Sequence, residues 1–179
     1  MSTISFIIAT TGRPSLAQAI ASVELWPGDE LIVIGGVEAR TDGQIRYVPC
    51  EPGRDWGSTE RNRATPLARG AYLAHLDDDD AYVPGTRALM ADAIKQTPGR
   101  PVLFRMRYEN GNTLWNLPLL QRGNVGTPMM LIPNDPDRLG WWGEQQDCGD
   151  FHFLATMRWT GDDVVWRPEV IAQINQVHV

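Results

Sequence analysis

The chain has 179 residues, 42% hydrophobic and 21% charged, which suits one soluble domain that buries its own core without staples. A formal net charge of −6 argues against a broad phosphate-gripping surface, so nucleic acid is not the favoured partner. Cys50 and Cys148 lie far apart without metal-ligand or redox spacing, which fits two unpaired thiols in a reducing compartment. No run approaches the roughly 20 apolar residues of a membrane span. The chain enters an apolar stretch at Ile4 with no basic leader or cleavage site, so a cytoplasmic protein is the expectation.

Ile4 to Ala9 is a nearly continuous apolar run, the pattern of a strand buried on both faces. Thr10 to Pro14 interrupts it, Pro14 suits a first helical turn, and Leu16, Ile20 and Val23 recur at helical spacing. Leu31 to Ile34 reads as a second buried strand closed by Gly35 and Gly36, and Ile45 to Val48 as a third. A helix is expected around Ser58 to Arg69, distorted or restarted at Pro66. Ala71 to Leu76 is the next strand, and Pro84 and Gly85 open a helix with Leu89, Ala93 and Ile94 on one face. Strand and helix alternating at this spacing predict an α/β fold with a mostly parallel sheet covered on both sides. Ligands bind such sheets off the carboxyl ends of the strands, so Thr10, Gly35 and Asp77 should share one rim.

After Pro101 the pattern changes. Val102 to Tyr108 alternates, with Arg105 and Arg107 on one face, and Asn110-Gly111 is a strong hairpin signal. Val125 to Ile132 predicts another strand, Asp147 to Arg158 a helix with Phe151, Leu154 and Ala155 inward, and Val164 to Trp166 a last short strand. The second half is therefore expected to be mixed or antiparallel.

Asp77 to Asp80 are four consecutive aspartates at the end of a buried strand. Stacked carboxylates repel unless a cation holds them, and hard oxygen ligands suit Mn²⁺ or Mg²⁺. A solvated acidic turn is the plainer alternative.

Around this run, Arg61-Asn62, then Ala68, Gly70, Tyr72, Leu73 and Leu76, the aspartates, and Tyr82, Pro84 and Gly85 resemble the core of family 2 glycosyltransferases. That family reads R-N, A-x-G-x-Y, L-D-x-D-D and W/Y-x-P-G in this order. Ile4 to Pro14 is similar to its opening strand, and Gly149 to Leu154, Trp159 to Gly161 and Pro168 to Val170 are similar to its closing segment. The resemblance implies a GT-A-type three-layer α/β/α sandwich over residues 1–179, with a nucleotide-sugar half (1–100) and an acceptor and base half (101–179). It implies a nucleotide-diphosphate sugar donor and a hydroxyl acceptor, with inversion.

By the same resemblance Asp79 is the main ligand of Mn²⁺ or Mg²⁺. Asp77 supports the ribose or the metal through water, Asp78 lies nearby, and Asp80 either joins them or caps the next turn. Asp150 takes the place of the family's general base, although a first-turn Asp also suits a helix dipole. Glu144 and Asp147 are the fallback bases. Thr10, Thr11, Arg13 and Gly35 are expected around the base and ribose. Arg61 is expected near the nucleotide, or in an ion pair with Glu60 or Asp55. His152 could reach the metal or acceptor or be structural, and Trp141-Trp142 could stack on a sugar or simply pack.

The chain departs from the family at Gly35-Gly36, where an aspartate normally reads the nucleobase. Glu38 or Asp42 would have to substitute, or backbone groups would hold the base. The chain also stops soon after Glu169, and a minimal catalytic domain completed by a homodimer is the hypothesis that follows. Two other functions fit: a nucleotidyltransferase of similar architecture, for which Thr10 to Arg13 is a thin glycine-rich loop, and a non-catalytic module that binds metal and nucleotide.

Overall fold

A computed structural model describes residues 2–143 and 148–174. The element order begins β1 (Ile4–Thr10), α1 (Leu16–Ser22), β2 (Glu30–Gly35), β3 (Arg40–Asp42), β4 (Ile45–Pro49) and α2 (Ser58–Ala64). It continues with β5 (Tyr72–Asp77), β6 (Ala81–Tyr82), α3 (Thr86–Gln96), β7 (Val102–Tyr108) and β8 (Thr113–Leu114). β9 (Met130–Pro133), α4 (Gly149–Thr156) and β10 (Val165–Ile174) complete it.

The strands form one mixed sheet in the order β3-β4-β2-β1-β5-β9-β7-β10-β6, with β8 paired to β7. Its long ladders, β1 with β2, β1 with β5, β2 with β4 and β7 with β10, are parallel. The short ones are antiparallel, notably β9 with β5 and with β7. Every residue of β1 is buried, because helices cover both faces. On one face Phe6, Ile8, Leu31, Val33 and Leu76 meet α1 and α3 through Ala19, Met90 and Ala93. On the other, Ile7, Ile32, Ile34 and Leu73 meet Ala64 of α2, while Leu103, Met130 and Ile132 meet Phe153 and Leu154 of α4. Each fully buried Ile or Leu contributes about 1.5–3 kcal/mol, which makes this continuous apolar run decisive for the sheet's centre.

The structure corrects several expectations. β7 is buried throughout Val102 to Phe104 and opens only at Arg105, because both faces of its first half are covered. The strand expected over Val125 to Ile132 forms only from Met130; Pro128 holds Thr127–Met129 as a 3-10 turn. The fourth helix is shorter than expected, and Phe153 and Leu154 face inward while Ala155 is exposed. The last strand runs ten residues rather than three, with Pro168 passed over in a register irregularity between Trp166 and Val170. Pro66 does restart the second helix, as a 3-10 turn over Thr65–Leu67.

Candidate functional site

Thr10 of β1 pairs with Gly35 of β2, and Ala9 pairs with Asp77 of β5, so the three strand ends expected to share a rim do share it. Side chains alternate along a strand, and in β5 this sends Leu73, His75 and Asp77 to the face covered by α2 and α4. His75 is fully buried, edge-on to Trp142 at 4.9 Å. Burial first, and the Arg61 guanidinium second, hold its pKa down to about 3, so it is a neutral packing group beneath Asp77.

Arg61 of α2, only 3% exposed, forms an ion pair with Asp77, not with Glu60 or Asp55. Its other Nη donates to the Trp56 carbonyl at 2.8 Å. The next residue performs a different task. Asn62 Nδ2 donates to the Trp142 carbonyl at 2.8 Å, and its Oδ1 accepts from the Trp142 amide at 3.0 Å. Trp142, 1% exposed, stacks on Phe153 of α4 at 4.8 Å and lies under the Arg61 guanidinium. The paired tryptophans therefore divide: Trp142 is a wedge between α2, β5 and α4, and Trp141 is 59% exposed. Their flanking glycines answer to packing, since a Cβ at Gly140 would lie 1.8 Å from the Phe153 carbonyl oxygen and one at Gly143 would strike the His152 ring. His152 itself bonds through Nδ1 to the Trp141 carbonyl at 2.8 Å, a structural role.

The aspartates have separate surroundings. Asp78 is buried and accepts from Thr10 Oγ1 at 2.6 Å, while that hydroxyl accepts from the Gly12 amide. Thr10 thus ties the first loop to the acidic turn. Asp79 is half-exposed and pairs with Arg13 Nη1 at 2.7 Å; Thr11 is exposed beside it. Asp80 is buried, its amide closing the turn on the Asp77 carbonyl. Burial pushes the Asp77 carboxyl up, Arg61 pulls against it, and the charges of Asp79 and Asp78 add to the rise. Thr127, which the sequence did not single out, lies near enough to Asp77 to pull its carboxyl pKa down; a lone threonine before a proline gives no signal of that proximity.

Asp150 occupies the first turn of α4, and its Oδ1 accepts from the Phe151 amide at 2.6 Å. Burial lifts its pKa to about 6; the Phe151 amide opposes this, the Asp77 charge adds to it and Arg61 opposes it again. Asp150 is therefore brought to the Asp77 cluster. Glu144 and Asp147 lie outside the described residues.

The Gly35-Gly36 departure has a steric cause. A Cβ on Gly35, at φ +132°, would lie 1.9 Å from the Thr10 carbonyl oxygen, and one on Gly36 would lie 2.8 Å from that of Thr11. The loops after β1 and β2 close on each other backbone to backbone, joined by the Gly36 amide on the Thr10 carbonyl at 2.9 Å. Asp42 does not replace the missing acid, because it pairs with Ile45 at the start of β4, at the opposite end of the sheet. Glu38 is exposed after the Gly35-Gly36 turn and stays on the rim side.

Among the described residues no group of three or more His, Cys, Asp or Glu side chains surrounds a common point fit for a metal. The donor chemistry nonetheless suits Mn²⁺ or Mg²⁺, which use one or two carboxylates and fill the remaining positions with water or phosphate. Asp77 and Asp79 supply two rim carboxylates whose mutual repulsion a cation would relieve. Among the described residues no helix is long and apolar enough to cross a membrane.

No protein-family model matches the chain, and no curated protein does. Solved structures do. Residues 1–349 of S. aureus TarS superpose with a TM-score of 0.71 at 16% identity, covering 96% of this chain and 60% of that one. The longer TarS structure gives 0.73 at 16% identity, covering 97% of this chain and 37% of its own. TarS 1–349 in complex with UDP-GlcNAc gives 0.68 at 13% identity, covering all of this chain and 60% of that one. The chain thus spans well under two thirds of TarS, and the likeness establishes a shared mixed α/β fold.

Proposed function

We propose that the chain is a metal-dependent inverting glycosyltransferase that moves a sugar from a nucleotide-diphosphate donor to an acceptor hydroxyl. The observation that carries this is the convergence of Asp77, Asp79 and Asp150 on one strand-end rim, in a fold that TarS shares and that in TarS holds UDP-GlcNAc and UDP. Asp150 takes the proton as the acceptor oxygen attacks the anomeric carbon, and the bond to the diphosphate breaks with its electron pair leaving on the nucleotide. A carboxyl poised at about 6 is ionised at neutral pH yet basic enough for this work. Mn²⁺ or Mg²⁺ held by Asp79, with Asp77 direct or through water, would offset the charge growing on the diphosphate. Arg61 holds Asp77 in place, and Asn62 through Trp142 sets the approach of α4.

Calorimetry with UDP, GDP, CDP and dTDP, each with and without Mn²⁺, tests the donor assignment. Metal-dependent binding of one nucleotide is expected, and no response to any of them sinks it. Donor hydrolysis should vanish in Asp79→Ala. Transfer that survives intact in Asp150→Asn would remove Asp150 from the base role. The non-catalytic alternative draws on the ion pairs that occupy Asp77 and Asp79; nucleotide binding with no turnover of any donor would favour it.

A further inference from the structure

Two arginines hold the acidic turn, and the fold treats them differently. Arg61 is 3% exposed, pairs with Asp77 and also donates to the Trp56 carbonyl, so it is fixed on both sides. Arg13 reaches Asp79 Oδ2 at 2.7 Å and Asp78 Oδ1 at 3.7 Å through one nitrogen, Nη1; its side chain is 49% exposed and that of Asp79 40%. We propose that Arg13 is a releasable counterion built into the site. It holds Asp79 until a divalent ion and a nucleotide diphosphate exchange for that contact together, so the two ligands bind as a cooperative pair. The inference rests on the metal-dependent glycosyltransferase reading above and names how that site is regulated.

The backbone under Arg13 is anchored while the tip lies in solvent. Gly12, at φ +87°, donates its amide to Thr10 Oγ1 at 2.9 Å, and a Cβ there would lie 2.8 Å from the Gly36 carbonyl oxygen. The Arg13 carbonyl accepts from the Leu16 amide at 3.1 Å at the entry to α1. Thr10 donates to Asp78 at 2.6 Å, so loop and turn stay joined whether or not the guanidinium holds Asp79. Only the long arginine stem has to swing.

The contact with Asp79 is of the kind that exchanges. It is monodentate, and Nε and Nη2 of Arg13 make no hydrogen bond among the described residues. A half-exposed ion pair is screened by water and adds little to stability, whereas removing buried Arg61 would strand a charge on Asp77. A divalent ion puts twice the charge beside Asp79, and a guanidinium fork matches two phosphate oxygens better than one carboxylate oxygen. Either ligand alone leaves a charge without its partner. Metal alone sets a dication beside the displaced guanidinium, and diphosphate alone draws Arg13 away and leaves Asp79 facing Asp78. Both together satisfy every charge, and such coupling is reciprocal.

Titration of the whole chain with Mn²⁺, followed by the electron paramagnetic resonance of the free ion, reads metal affinity without turnover. Arg13→Met should bind Mn²⁺ alone about three- to ten-fold more tightly than wild type. Arg13→Lys keeps the charge and should stay within about two-fold of wild type. Calorimetry should show Mn²⁺ tightening UDP binding to wild type by about ten-fold or more, with most of that gain lost in Arg13→Met. Thermal midpoints of all variants control for folding, and Asp79→Ala should weaken Mn²⁺ binding whichever residue stands at 13. If Arg13→Met binds Mn²⁺ no more tightly than wild type, or Arg13→Lys behaves as Arg13→Met does, the counterion role is wrong while the metal site stands. UDP affinity that Mn²⁺ leaves unchanged in wild type overturns the coupling. Mn²⁺ binding that is absent throughout, or indifferent to Asp79→Ala, instead removes the metal reading and the counterion with it.

Discussion

Asn62→Ala isolates the joint between α2 and the segment that leads to α4. The substitution removes both bonds to the Trp142 backbone, at 2.8 and 3.0 Å, and leaves a buried amide and carbonyl without partners. At about 0.5–1.5 kcal/mol per bond, the loss is about 1–3 kcal/mol. For a domain of this size each kcal/mol moves Tm by about 2–4 °C, so thermal unfolding should shift down by about 2–12 °C. Because Trp142 stacks on Phe153 in the helix that carries Asp150, kcat for transfer should fall further than UDP affinity. Asn62→Asp adds a sharper check. It keeps the acceptor for the Trp142 amide but sets a carboxylate oxygen against the Trp142 carbonyl. At neutral pH it should therefore rank below Asn62→Ala, and it should recover as acid restores a donor. A midpoint for Asn62→Ala within about 1 °C of wild type would refute the clamp, as would an Asp variant more stable than the Ala variant at neutral pH.

Three further outcomes follow from positions already described. Trp56 has φ +57° and is 65% exposed, so Trp56→Gly should relieve about 1 kcal/mol of left-handed strain and raise Tm; an unchanged or lower Tm contradicts this. Asp150 has a folded pKa raised to about 6 from 3.8, so its ionisation opposes folding above that range. Asp150→Asn should accordingly stabilise at pH 7 by about 1–3 kcal/mol, with the gain shrinking from pH 6 and gone below pH 4, while wild-type metal-free NMR titration should place the carboxyl near about 6. An Asp150→Asn unfolding curve with no such pH dependence would overturn the assignment. Gly35→Asp, which restores the acid that the family resemblance leads one to expect, should destabilise by at least about 3 kcal/mol, given a Cβ 1.9 Å from the Thr10 oxygen; a stable variant with sharpened base selectivity would contradict the loop-closure account.

The centre of the sheet was legible because burial on both faces leaves a direct trace, an apolar run such as Ile4 to Ala9 ending in a turn. The shared rim of Thr10, Gly35 and Asp77 followed from parallel connectivity alone. What stayed hidden depends on partners distant in sequence. Arg61 has acids beside it at Glu60 and Asp55, yet it pairs with Asp77, because the strand alternation that sends His75 and Asp77 to one face is settled only when α2 packs there. Trp142 was indistinguishable from Trp141 until Asn62 and Phe153 fixed it. β10 extends past Pro168 because β7 offers it a long edge, something no local pattern around Val164 to Trp166 could signal.

The strand order has one more consequence. β5 and β6 stand four places apart in the sheet, about 19 Å if it lay flat, yet only Asp78, Asp79 and Asp80 connect them. The turn closed by the Asp80 amide on the Asp77 carbonyl spans less than about 7 Å, leaving one residue more to reach Ala81. The sheet must curl until its far edge returns over the end of β5, where Tyr82 meets Phe6 edge-on at 5.9 Å. The aspartate run is thus a drawstring: its shortness holds β10 and β6 against the rim where β1, β2 and β5 end. A single residue inserted within it should slacken that curl while leaving every carboxylate in the chain.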